Sequence, residues 1–163
     1  MNGASVALAK YVRDLLSQPE GTVTILGRTN KPRGDTRNLQ IVIDTLAPAE
    51  IQTGAEVFDG VAEEMTYCQL MRSTMTIDFM GTGAYDEAIR FIGLNRSQAA
   101  HDLKRALDID IGLVKQLQDL KFLQGEQYSE RYQLELTLTY NTATVVDTLR
   151  IETAVVADPI LVN

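Results

Sequence analysis

The longest alternation of apolar and polar residues runs from Met65 to Phe79. Met65, Tyr67, Met71, Ser73, Met75, Ile77 and Phe79 occupy odd positions and are mostly apolar. Thr66, Arg72, Thr74, Thr76 and Asp78 occupy even positions and are mostly polar. A period of two predicts a strand with one buried face. Gly81-Thr82-Gly83 ends it, because glycine adopts turn backbone angles at little cost. The period then lengthens to helical spacing. Ala84 to Leu94 carries Ala88, Ile89, Phe91 and Ile92 on a broad apolar face. Ser97 is placed to cap a second helix, with Ala99, Leu103, Ala106 and Leu107 as its stripe.

The other segments group around this stretch. Ala4 to Gln18 predicts an amphipathic helix on Leu8, Val12 and Leu15, flanked by Tyr11 and Leu16, with Ser5 or Asn2 as its cap. Pro19 and Gly21 end it. Thr22 to Leu26 is a β-branched run and predicts a strand. Arg28 to Arg37, with Pro32 and Gly34, is a loop. Leu39 to Leu46 alternates again, and Pro48 closes it. Gly112 breaks the chain, Leu113 to Leu123 predicts a strand with a following edge or turn, and Gly125 to Glu130 a polar turn. Tyr132 to Tyr140 sets Tyr132, Leu134, Leu136, Leu138 and Tyr140 against Gln133, Glu135, Thr137 and Thr139, a clear strand pattern. Asn141 to Thr144 is a polar gap before a further strand, Val145 to Val156. Asp158 to Asn163 closes the chain as a tail.

Between Pro48 and Glu64 the pattern is mixed. Glu50, Glu56, Asp59, Glu63 and Glu64 make the segment acidic, yet Ile51, Val57, Phe58 and Val61 are scattered through it. A solvated loop does not need so many apolar residues. The segment either packs on its own domain or docks against another subunit. It joins two strands expected to be antiparallel neighbours, so it reads as a long projecting β-hairpin tip over residues 47–64.

The element order predicts an α+β fold: a single antiparallel or mixed β-sheet with helices packed on one face and the hairpin projecting. At 163 residues the chain fits one domain, residues 1–163, with a tail over 157–163. The net charge of −7 argues against binding nucleic acid by phosphate neutralisation. Cys68 is the only cysteine, so no internal disulfide forms, and it reads as a small, partly buried hydrophobe. The first ten residues lack the pattern of a secretory signal, and no apolar run approaches the ~20 residues of a membrane span. A reducing cytoplasm is the expected place of synthesis.

Candidate chemistry is sparse. Gly81-Thr82-Gly83 lacks the third glycine of a dinucleotide loop, and no GxxxxGK[ST] loop or GxSxG elbow is present. His101 is the only histidine and lies beside Asp102 on a helix, so it reads as a surface residue. The pairs Glu63-Glu64 and Asp108/Asp110 have no ligand cluster at metal spacing. No catalytic residue, cofactor or metal is expected. Arg28, Lys31, Arg33 and Arg37 form the basic cluster, expected to meet an acidic protein surface.

The layout resembles the neck or tail-terminator proteins of long-tailed bacteriophages. The matching features are the N-terminal helix, the loop Arg28-Thr29-Asn30-Lys31-Pro32 and the strand Leu39 to Thr45. The long strand ending Phe79-Met80-Gly81-Thr82-Gly83-Ala84 and the late strand Tyr132 to Tyr140 match as well. The resemblance implies a non-enzymatic virion protein, assembled in the host cytoplasm, that forms a homohexameric ring in the neck. Such a ring ends the tail tube, joins it to the head connector and leaves a channel for DNA. Another virion adaptor, such as a head-completion or tail tube protein, is the alternative, and a small-molecule-binding protein or enzyme is the third reading. The implied partners are further copies of the chain, tail tube and sheath proteins, and connector proteins; DNA passes without specific binding, and no membrane is involved. On this reading Ile51, Val57, Phe58 and Val61, with Arg28, Lys31, Arg33 and Arg37, are expected at subunit interfaces. Glu56, Asp59, Glu63 and Glu64 are expected to face the channel, with Asp108 and Asp110 as the other choice.

Overall fold

Two 17-residue strands form the spine of the computed structural model, which describes residues 3–26, 37–46, 50–62, 64–113, 116–120, 122–124 and 127–147. They are β4 (Glu64–Met80) and β9 (Arg131–Asp147), paired antiparallel from Glu64↔Asp147 to Met80↔Arg131. At about 3.3 Å per residue this ladder is roughly 55 Å long. Each half of it has different neighbours. The Met75–Met80 half of β4 pairs with β2 (Gln40–Thr45), which in turn carries β1 (Val23–Ile25) in parallel. The Glu64–Arg72 half pairs with β3 (Glu50–Asp59). On the other side, β5 (Ile109–Leu113) and β6 (Gln118–Asp119) pair with the Tyr132–Tyr140 half of β9. The result is a mixed seven-stranded sheet, with a separate hairpin of β7 (Phe122–Gln124) and β8 (Gln127–Ser129). The fold is α+β.

The alternation fixes which face is covered. Ile41 and Ile43, Met75, Ile77 and Phe79, Leu134, Leu136 and Leu138, and Ile109 and Ile111 form one apolar face and are buried. They join one core with Leu8, Tyr11, Val12, Leu15 and Leu16 of α1 (Gly3–Leu16). Ala84, Ala88 and Phe91 of α2 (Ala84–Leu94) and Ala100 of α3 (Gln98–Ala106) complete it. The Phe91 ring meets Tyr11 edge-on at 6.3 Å and tilts against Phe79 at 6.1 Å, geometries favoured by the ring quadrupole. On the opposite face Asp78 is buried and accepts from Arg131 Nη2 at 3.1 Å and Gln133 Nε2 at 3.0 Å.

Several expectations hold. The spans of β4 and α2 match, and Ser97 caps α3, its Oγ accepting from the Ala100 N–H at 3.2 Å. Others are corrected. Ser5 is no cap: it lies inside α1, buried, with its hydroxyl 3.5 Å from that of Thr45, and Asn2 lies outside the described residues. Gly112 does not break the chain but sits within β5 opposite Thr137, on the polar face, where no side chain is needed. The Leu113 to Leu123 stretch is not one strand but holds the end of β5, β6 and part of β7; Gln127–Ser129, read as turn, is strand. Asn141 to Thr144 is no gap either. β9 runs through it because Leu70 to Tyr67 supply its ladder partners, and both faces of the strand there meet water. The supposed tip over 47–64 is mostly the arm β3, and the turn lies between Asp59 and Glu64. Residues 148–163, including the end of the strand expected to Val156, lie outside the described residues.

Candidate assembly interface

The helices are too short for the sheet. α1, the longest at 14 residues, spans about 21 Å at 1.5 Å per residue, against the roughly 55 Å ladder. They cover the half that carries β2 and β5. The other half, β3 with Glu64 to Met71 of β4 and Tyr140 to Asp147 of β9, continues as a three-stranded arm.

Register sorts the side chains of this arm. Phe58, Met65 and Val146 share a rung on the face that is helix-covered further along, followed by Glu56, Tyr67 and Thr144. Val57, Thr66 and Val145 share a rung on the opposite face. Apolar residues therefore stand on both faces of the tip. Phe58 is 57% exposed and Val61, in the turn, 97% exposed. Val57, Val145 and Val146 are exposed too. Large apolar side chains are thus exposed together on one arm, a pattern typical of interaction surfaces.

The end rung is acidic. Asp59, Glu64 and Asp147 lie side by side across the three strands. Like charges directly opposite in a sheet are destabilising. Asp59 partly escapes this by closing the turn: its Oδ1 accepts from the Val61 N–H at 2.9 Å and the Ala62 N–H at 3.2 Å. These two backbone hydrogen bonds hold its carboxyl below the ordinary carboxylate range.

The structure thus brings Val57, Phe58, Val61, Glu56, Asp59 and Glu64 to one end of the sheet. Ile51 is placed by its backbone nearer the base of the arm, opposite Met71. Arg37 does not join them. It is exposed and precedes β2, whose Gln40 pairs with Met80, the end of β4 remote from Phe58. Glu63 and the remaining basic cluster, Arg28, Lys31 and Arg33, lie outside the described residues. Asp108 and Asp110 sit at the base of the arm, where Asn141 Nδ2 donates to Asp108 at 3.1 Å. Sequence reasoning missed Met65, Tyr67, Val145, Val146 and Asp147 as surface residues. The available signal was length: a strand of 17 residues beside helices of 11 and 9 must leave part of its apolar face uncovered.

Among the described residues no group of three or more His, Cys, Asp or Glu is placed to hold a metal. His101 is exposed on α3, and Cys68 is half-buried in the arm. Gly81 and Gly83 have φ of 91° and 81°, and Gly83 is the N-cap of α2, so this pair serves a turn. No described helix is long and apolar enough to cross a membrane.

A family model for phage neck terminator proteins matches residues 6–160. None of the curated proteins compared with the chain matches it. The matched span takes in the helical layer, the long sheet and the arm together. The chain belongs to the phage neck terminator family, structural proteins of the virion neck that assemble with head and tail proteins where the two are joined.

Proposed function

We propose that copies of this chain close into a ring, a homohexamer, at the end of the tail tube. The ring joins the tube to the head connector and leaves an axial channel for the genome. The whole chain acts as one domain in this role, with tube, sheath and connector proteins as its neighbours. The observation that carries the reading is the arm: three strands extending past the helical layer, apolar on both faces at the tip, with Phe58 and Val61 open to solvent. An arm at one end of a molecule makes a head-to-tail contact with a different surface of the next copy, and such contacts close into rings when the rotation permits. Ile51, Val57, Phe58 and Val61 lie at that contact.

The channel wall is net acidic and does not hold DNA. Each copy contributes a charge of −7. A wall that neutralised phosphates would gain affinity through counterion release and slow the genome; a repulsive wall keeps the duplex centred and sliding. Glu56 and Glu63 supply part of that charge, and the basic cluster Arg28, Lys31, Arg33 and Arg37 meets acidic protein surfaces of neighbours. Negative-stain electron microscopy of the purified protein tests the reading. Rings with a central hole are expected; particles of monomer size at micromolar concentration would overturn it.

A further inference from the structure

The arm has a second feature, at its base. Where α1 and α3 stop and the sheet continues, a cavity of about 460 Å³ opens, lined by Ala4, Ala7, Met71, Leu107, Ile109 and Tyr140. Its polar lining includes Asp108 and Asn141, already bonded to each other at 3.1 Å. A second, smaller hollow adjoins it, bounded by Lys104 and Arg105 of α3, with Asp108 and Asp110 on the same rim. Lys104 and Arg105 form the basic last turn of α3.

Resting on the ring reading above, we infer that this notch in one copy receives the arm tip of the next copy. Phe58 and Val61 enter the apolar cavity, and the carboxylates of Asp59, Glu64 and Asp147 face Lys104 and Arg105. Three observations support the pairing. First, the tip is apolar on both faces, which suits insertion rather than flat packing. Second, its acidic end rung is a cost to the isolated chain, and a cationic partner removes that cost. No lysine or arginine occurs between Gly54 and Met71 or between Tyr140 and Asp147 to serve this role from within the arm. Third, the tip cannot reach the notch of its own chain. Met65 at the tip and Met71 at the base are six residues apart on one continuous ladder, about 20 Å, and the ladder does not fold back. Knob and hole thus lie at opposite ends of the arm, the arrangement of a heterologous contact.

Disulfide trapping tests this in the full-length chain carrying Cys68→Ser. One protein carries Val61→Cys, at an exposed position, the other Ala7→Cys, at a half-buried position on the cavity lining. Under mild oxidation, linked dimers are expected only when the two are mixed, and a ladder of linked oligomers when both changes share one chain. Linked dimers of the Val61→Cys protein alone would show a tip-to-tip contact and overturn the inference. Oligomers seen by light scattering without any Val61–Ala7 link would place the tip elsewhere, on another site or another virion protein, and overturn it while leaving the ring intact. Absence of oligomers even before oxidation would overturn the ring reading itself. A charge exchange gives an independent arm: Arg105→Glu is expected to weaken association and Glu64→Lys in the same chain to restore it; failure to restore counts against the pairing.

Discussion

The Tyr11 hydroxyl donates to Asn95 Oδ1 at 2.6 Å, with both residues buried. This bond ties α1 to the junction of α2 and α3, where Asn95 is the C-cap of α2. Tyr11→Phe keeps the ring contact with Phe91 but leaves a buried carbonyl oxygen without its donor, a loss of about 1–3 kcal/mol. Thermal unfolding should show the Tm falling by several degrees, with ring formation by the folded protein unchanged. An unchanged Tm would mean that Asn95 finds another partner.

The same hydroxyl sets an alkaline limit. Burial, and then the carboxylate of Asp110, raise the Tyr11 pKa from 10.0 to about 12. The folded state therefore favours the protonated phenol more than the unfolded chain does. Its contribution is complete below pH 10 and is lost as the pH rises towards 12. Urea titrations across that window should show wild type losing more stability than Tyr11→Phe. Parallel pH profiles would contradict this assignment.

Gly83 holds φ at 81° as the residue from which α2 starts. A Cβ there meets nothing within 4 Å, so space is not the constraint; backbone conformation is. Gly83→Ala should cost about 1–2 kcal/mol, and Gly83→Asn less, since asparagine tolerates the left-handed region better. Equal effects of the two changes would point to a steric or ligand-binding role for the turn instead.

Most of the helix-covered half was legible in the sequence because its periods are undisturbed: the odd positions of β4 and the even positions of β9 each report a face that is fully buried. The arm was harder to read for the same physical reason. With water on both faces, β3 and the far half of β9 carry no single apolar side, so Glu56 beside Val57 and Asn141 before Thr142 looked like loop. Gly112 misled in a different way, since a glycine facing the polar side of an edge strand costs little. The exposed Val57 and Phe58 were visible as apolar residues out of place; the acidic rung was not, because it exists only once Asp59, Glu64 and Asp147 are brought into register.

An acidic ring should ignore duplex DNA. A titration of the assembled protein with short duplex at low salt, where electrostatic attraction is strongest, should show binding weaker than micromolar. Micromolar or tighter binding would mean that basic residues such as Arg28 and Arg33 line the channel.

The central claim is that the arm holds the ring together, and solution mass tests it most directly. Wild type should scatter light as six copies of an 18.0 kDa chain. The double variant Val57→Ser, Phe58→Ser changes two side chains that are each 57% exposed, so its circular dichroism and Tm should stay close to wild type while its mass falls to that of a single chain. A double variant that keeps the full ring mass would contradict the account.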